Sequence, residues 1–247
     1  MTSLPPRRLL VTGAHRPLGM ALARRALERG DTVAVTVPNP ARVPAIADLR
    51  DEHPTRLHVV AWDALDAAAM PRAAAAVRTA LGQIDRAIVC ELPLPPANDD
   101  LADDLRPAML ALTVPPLANT TATLLATTLH ATQLATTLLD PAGGARLLIL
   151  ASWLGSVTDK IRGGEHLAAV PHAAQLMLAR TLQHDLLSGG VPTVVANAGR
   201  YRIDPAGLAF QPDADEVAGG LLDRLEDDPA PGGEPAFLDW RRAPRHW

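Results

Sequence analysis

The sequence predicts an α/β fold, a doubly wound parallel sheet flanked by helices on both faces. Three observations carry that expectation. Seven short β-rich runs recur along the chain, and helical patterns lie between most of them. The first run has the continuous apolar character of a strand covered on both sides. The 247 residues show no repeat, no low-complexity tail and no composition break, so residues 1–247 read as one domain with a sizeable core.

Arg8 to Thr12 (RLLVT) is the first strand, closed by Gly13. Leu18, Leu22 and Ala26 then recur every four residues, as one face of a helix requires, and Gly30 ends it. Asp31 to Val37 is the second strand, stopped by Pro38 and Pro40. Leu57 to Trp62 is the third. The alanine-rich Ala67 to Leu81 is a helix by propensity, and Ile84 to Cys90 the fourth strand. Three prolines exclude regular structure from Glu91 to Asn98. Asp99, Asp100, Asp103 and Asp104 read as a solvated, acidic helix start. Leu117 to Leu139 is a long helix rich in threonine, which lowers propensity and calls for tertiary or subunit packing. Ala145 to Ala151 is the fifth strand, Ser152 to His166 a polar loop and Leu167 to Leu187 a helix. Val191 to Ala196, Asp213 to Leu225 and Ala236 to Asp239 follow as strand, helix and short final strand.

Composition narrows the function. Hydrophobic residues make up 48% and charged residues 20%, too apolar for disorder. A net charge of −4 argues against nucleic acid. No apolar run reaches membrane length and no signal-peptide core precedes the first strand, so a cytoplasmic protein with no membrane partner is expected. Cys90 is the single cysteine, which excludes an internal disulfide and a multi-cysteine metal site. The near-exclusive use of arginine over lysine, with abundant alanine and proline, is the codon signature of a GC-rich bacterial genome. Tyr201 is the single tyrosine and Lys160 the single lysine. They are far apart, so no mechanism can use a Tyr and a Lys one helical turn from each other.

The first strand runs into Thr12-Gly13-Ala14-His15-Arg16-Pro17-Leu18-Gly19 and then a helix. A glycine turn ahead of a helix N-terminus presents backbone N–H groups and the positive dipole end to a phosphate. Thr12, Gly13 and Gly19 match the T-G-x-x-x-G-x-G turn of the short-chain dehydrogenase/reductase family, with Pro17 in place of the middle glycine. Trp62-Asp63 is similar to the family's Asp after the third strand, which faces the adenine. Residues 180–186 (RTLQHDL) resemble the K-S-L-A-x-E-L helix. Ala198-Gly199 stands where the family has Pro-Gly, and Phe237-Leu238-Asp239 resembles its closing strand. On these residues the chain resembles a divergent member of that family, which implies a Rossmann-like fold.

The resemblance implies a dinucleotide site at Gly13, Arg16, Gly19 and Asp63. Pro17 is either an ordinary first helical residue or the loss of a phosphate donor. Residues 36–39 (TVPN) carry no acid for the ribose hydroxyls of NAD, and Arg16 can meet a 2′-phosphate or stand as a surface charge. If a dinucleotide binds, NADP is the expected one, and no metal is expected.

The family's hydride chemistry uses a Ser, a Tyr, a Lys one turn later and an Asn. Ser152 matches the serine. The Tyr position falls at Ala168, the Lys position at His172 and the Asn near Leu124. Alanine has no proton to give, and a histidine with an ordinary pKa of about 6.5 is mostly neutral at pH 7. A missing positioned proton donor costs roughly 10² to 10⁴ in rate. Candidate replacements are Ser152, His172 and Tyr201, with Asp159, Lys160, Glu165, His166 and Glu91 in the same region. His172, near a helix start, is expected neutral through the dipole or as a filler of the lysine slot. Tyr201, between Arg200 and Arg202, reads as a packing residue or as an acid whose pKa the arginines lower. Trp153 is expected as a pocket wall and Cys90 as inert core.

Three functions remain open at this point. One is redox-neutral proton transfer, such as cyclisation, dehydration or isomerisation, on a carbonyl-containing small molecule, as in a tailoring enzyme of specialised metabolism. Another is NADPH-dependent reduction with a non-standard proton donor. The third is a non-catalytic partner of an active relative. The resemblance implies pairing, as a homo-oligomer or hetero-oligomer, through the helices at 117–139 and 167–187.

Overall fold

The computed structural model describes residues 6–92, 110–202, 211–227 and 236–247. Seven strands form one parallel sheet: β1 (Arg8–Val11), β2 (Thr32–Val37), β3 (Leu57–Ala61), β4 (Arg86–Val89), β5 (Arg146–Ala151), β6 (Thr193–Asn197) and β7 (Phe237–Asp239). Their spatial order is β3-β2-β1-β4-β5-β6-β7. The helices are α1 (Pro17–Glu28), α2 (Pro44–Glu52), α3 (Met70–Leu81), α4 (Val114–Thr136), α5 (His166–Ser188) and α6 (Ala214–Leu225). All seven expected strands are present.

Strand periodicity explains the two layers. In β1, Leu9 and Val11 join the core under α1, α2 and α6, while Leu10 joins the core under α3, α4 and α5. Both faces are covered, so β1 can be apolar throughout. It pairs with β2 through Val11–Val35 and with β4 through Val11–Ile88. The strand order reverses there. Chains of this topology open a crevice beyond the carboxyl ends of the strands at such a switch point.

Two helices depart from the sequence expectation. No helix was expected between β2 and β3, yet α2 forms, with Pro44 in its first turn and only Ile46 and Leu49 buried. Two apolar residues three apart are too short a stripe to stand out from the sequence. The helix expected from Leu117 begins at Val114, because Pro115 and Pro116 occupy the first turn, where a missing N–H costs little. It ends at Thr136, and Leu139 instead bridges to Ile84. Its threonines are accommodated by bonding back one turn: Thr120, Thr121, Thr132 and Thr136 each donate to the carbonyl four residues earlier at 2.8–2.9 Å. The acidic run from Asp99 to Asp104 and most of the proline segment lie outside the described residues.

Candidate functional site

The crevice at the β1–β4 switch point is built around Gly13. Its φ of +67° is one that side chains rarely adopt, and a Cβ there would fall 2.2 Å from the Cys90 carbonyl oxygen. Gly19 closes the turn onto α1, since a Cβ there would lie 2.5 Å from the Gly13 carbonyl oxygen. Pro17 is the first residue of α1, as its benign reading has it, and no side chain caps that helix start.

Beside the turn lies a cavity of about 200 Å³, lined in part by Gly13, His15, Arg16, Asp63, Glu91 and Thr127. Within these lining residues, His15 Nδ1 and Arg16 Nε are buried and have no hydrogen-bond partner among the described residues. Orphaned nitrogens next to an uncapped helix start suit the oxygens of a phosphate, so the residues present fit a dinucleotide. Gly13, Arg16 and Asp63 line this cavity, and Gly19 packs against the backbone of the turn at Gly13. Asp63 is exposed at the rim, and its Oδ1 accepts from the Leu65 N–H at 2.9 Å.

Glu91 is the residue the sequence underweighted. It is 5% exposed, and its Oε1 lies 3.4 Å from where a Gly13 Cβ would sit. Burial raises its pKa above the ordinary carboxylate value, against the lowering effects of the Thr12 side chain and Arg16, while Asp63 adds to the rise. The available signal was its place directly after β4, at the crevice mouth. The Cys90 thiol beside it is pushed up to about 12, first by burial and then by Glu91, and so stays an inert thiol.

The three candidate catalytic groups are not assembled by direct bonds. Ser152 starts a short helical turn, and its Oγ accepts from the Leu154 N–H at 3.2 Å. That turn lies on α5: a Cβ on Gly155 would be 2.3 Å from the His172 carbonyl carbon. Ser152 and His172 therefore occupy neighbouring elements. His172 is 6% exposed, with Nδ1 3.1 Å from Gln175 Oε1. The Gln175 amide nitrogen donates to Thr128 Oγ1 at 3.0 Å and to the Leu150 carbonyl at 3.4 Å. With the amide so oriented, Gln175 Oε1 accepts, and Nδ1 of His172 carries the proton. Nε2 is then a lone-pair base, with no hydrogen-bond partner among the described residues.

The expected neutrality of His172 stands, but its cause differs. His172 lies well past the first turn of α5, where a helix dipole has faded. Burial is what lowers its pKa below 6.5, with the Gln175 bond acting in the opposite direction.

Of the two readings of Tyr201, its surroundings favour packing. Its ring packs, half-buried, against the core on the α1 side of the sheet. Burial raises its pKa, Cys90 adds to the rise and Arg16 opposes it, so the flanking arginines do not make it an acid. No hydrogen bond links it to His172 or Ser152.

The remaining candidates have other partners. Lys160 Nζ donates to Glu165 Oε2 at 2.7 Å, and Asp159 accepts from His246 Nδ1 at 2.8 Å. Trp153 donates its backbone N–H to Asn197 Oδ1 at 3.3 Å, whereas Trp62 is the tryptophan that lines the cavity. Among the described residues, no group of three His, Cys, Asp or Glu is placed to hold a metal, and no helix is long and apolar enough to cross a membrane.

Comparison with known proteins follows the geometry. Residues 7–90 match the family model for short chain dehydrogenase. No curated protein matches the chain in sequence. Solved structures share the fold over nearly its whole length. The carbonyl reductase Sniffer of Drosophila melanogaster superposes with a TM-score of 0.81 at 18% identity, over 98% of this chain and 100% of that one. An NADPH-bound carbonyl reductase from chicken fatty liver gives 0.77 at 23% identity, over 99% and 100%. A carbonyl reductase from Pseudomonas aeruginosa PAO1, in complex with NADP, gives 0.73 at 23% identity, over 97% and 99%.

Proposed function

We propose, from the match of residues 7–90 to the short chain dehydrogenase model, a dinucleotide-binding enzyme of that family whose catalytic step is proton transfer on a carbonyl-containing small molecule. The observation that carries this reading is His172. At the position the resemblance gives to a lysine stands a buried, neutral imidazole with Nδ1–H held by Gln175 and Nε2 without a partner among the described residues. That arrangement suits a general base and not a fixed cation. The Ser152 hydroxyl, on the turn that packs against the His172 backbone, is the group assigned to hold a substrate carbonyl. Removing a proton next to a carbonyl is the step that isomerisation, dehydration and cyclisation share, and it fits a tailoring enzyme of specialised metabolism.

In the crevice, Arg16, His15 and the α1 start would hold the phosphates of NADP(H), and Asp63 would take the adenine end, as the resemblance implies. When bound, that group supplies hydride chemistry. A second reading, NADPH-dependent reduction with a non-standard donor, draws support from the unpartnered Arg16 and His15 nitrogens and from the NADP-bound carbonyl reductases of the same fold.

The test is exchange of α-hydrogens of simple ketones and a β-diketone in deuterated water, followed by NMR. Exchange that requires the protein and is lost in His172→Asn supports proton transfer. Oxidation of NADPH by the same ketones, retained in that variant, supports the second reading instead.

We also propose that α4 and α5 pair with a second copy of the chain. Leu167, Val170 and Met177 lie on one side of α5 and are 45%, 46% and 66% exposed. An apolar row of that kind on a long helix favours burial against another chain. Sedimentation at micromolar concentration is expected to show a dimer or larger species, converted to monomer by Met177→Glu. A monomeric wild-type chain would contradict the pairing.

A further inference from the structure

We propose that Glu91 gates the dinucleotide crevice: its ionised carboxylate opposes the phosphates of a dinucleotide in the cavity it lines, so that binding NADP(H) takes up a proton at Glu91. The inference deepens, and rests on, the dinucleotide reading of this crevice.

The geometry comes first. A dinucleotide at a strand–helix junction brings its phosphates into the cavity that Gly13, His15 and Arg16 line. Here the Glu91 carboxyl stands against that glycine, with Oε1 at van der Waals distance from the missing Cβ. Glu91 is 95% shielded from solvent, so water screens the repulsion between its charge and a phosphate only weakly. A carboxylate offers acceptors only, and a phosphate oxygen needs donors. A protonated carboxyl supplies one donor and removes the repulsion in the same step.

The groups around Glu91 decide the direction of the effect. From the turn after β1, Thr12 bonds its carboxyl, and Arg16 favours the ionised form. From the end of β3, Asp63 disfavours it. Cys90 remains a neutral thiol, Tyr201 a neutral phenol, and Thr123 and Thr127 of α4 carry no charge. Burial is the largest influence and holds the proton on Glu91 to higher pH than an exposed glutamate. A phosphate entering the crevice adds further negative charge and draws the proton on more firmly. His15 is the other titrating group at the turn. Burial and Arg16 lower its pKa, so it takes up a proton only in more acidic solution.

The test is calorimetric titration of the full chain with oxidised NAD and NADP between pH 6 and pH 8, in buffers of different ionisation heat. NAD lacks the 2′-phosphate and so removes that group's own titration. Wild-type protein is expected to bind more weakly as pH rises, by no more than about tenfold per pH unit, with net proton uptake on binding. Glu91→Gln keeps the side chain's shape without its charge. It is expected to bind with nearly flat pH dependence, without proton uptake, and more tightly than wild type at pH 8. Binding by wild type with no pH dependence and no proton uptake overturns the gate and leaves the dinucleotide reading intact. A pH dependence that persists unchanged in Glu91→Gln also overturns it, because the proton then resides elsewhere. Absence of binding by both proteins at both pH values overturns the dinucleotide reading and the gate together.

Discussion

Replacing His172 with asparagine is expected to lower protein-catalysed exchange of carbonyl α-hydrogens by roughly 10² to 10⁴, the usual contribution of a positioned base. Asparagine keeps an N–H for Gln175 Oε1, the bond that orients the ring, and removes Nε2, the atom without a partner. Loss of catalysis should therefore come without loss of fold. The pH profile carries a second signature. A base must be unprotonated, and burial lowers the His172 pKa from 6.5, so the acid limb of wild-type activity should lie below pH 6.5. The same shift has a consequence for stability, with the sign set by proton counts. The unfolded chain protonates this histidine more readily than the folded chain does. His172 therefore contributes stability that is fully present above about pH 6.5 and is lost as pH falls through its lower folded value. His172→Asn should flatten that part of the curve. Unchanged exchange, or an acid limb that survives in the variant, would remove His172 from the mechanism.

The second large effect is expected at Gly13. Alanine there must adopt a φ of +67° and place a methyl 2.2 Å from the Cys90 carbonyl oxygen. The left-handed conformation alone costs about 1–2 kcal/mol. The clash is with backbone at the end of β4, which cannot swing aside as a side chain would. The total is expected at about 3–5 kcal/mol, at the upper end for single substitutions, which lowers Tm by about 10 °C for a chain of this size. Any folded variant should also bind NADP(H) at least tenfold more weakly, because the turn must move away from the phosphates. Thermal unfolding and the same calorimetric titration measure both. A Gly13→Ala protein with wild-type Tm and affinity would mean that the turn does not serve as the cradle.

The sequence revealed the layered fold more readily than the site, for physical reasons visible in particular elements. Strands such as Leu147 to Ile149 are buried on both faces, so their apolar character is nearly pure and shows in the letters alone. The glycine turn was legible because Gly13 and Gly19 answer to backbone geometry, which few other residues can satisfy. Helix α2 was missed because it buries only Ile46 and Leu49. Its remaining surface reads as loop. Electrostatic character was the least legible. Arg200 and Arg202 flank Tyr201 in sequence, yet the influences on its phenol come from burial, Cys90 and Arg16, which only the fold brings near. His172 was rightly expected to be neutral, but the cause is burial, and nothing local in residues 166–172 reports burial. Glu91 stands in the sequence only as one neighbour of the candidate region because it opens a proline-rich stretch, while its environment is made by Thr12, Gly13 and Asp63 from two other strand ends.

The most direct test of the central claim, a retained dinucleotide cradle without the usual proton-delivering pair, joins two readings on one sample. NADPH binding is measured by calorimetry at pH 6, and NADPH consumption is then followed with a broad panel of ketones at saturating NADPH. The expected result is saturable binding with ketone reduction at least a hundredfold slower than a Tyr–Lys enzyme of the same fold achieves on the same panel. Rapid NADPH-driven ketone reduction that survives both His172→Asn and Tyr201→Phe would contradict the claim.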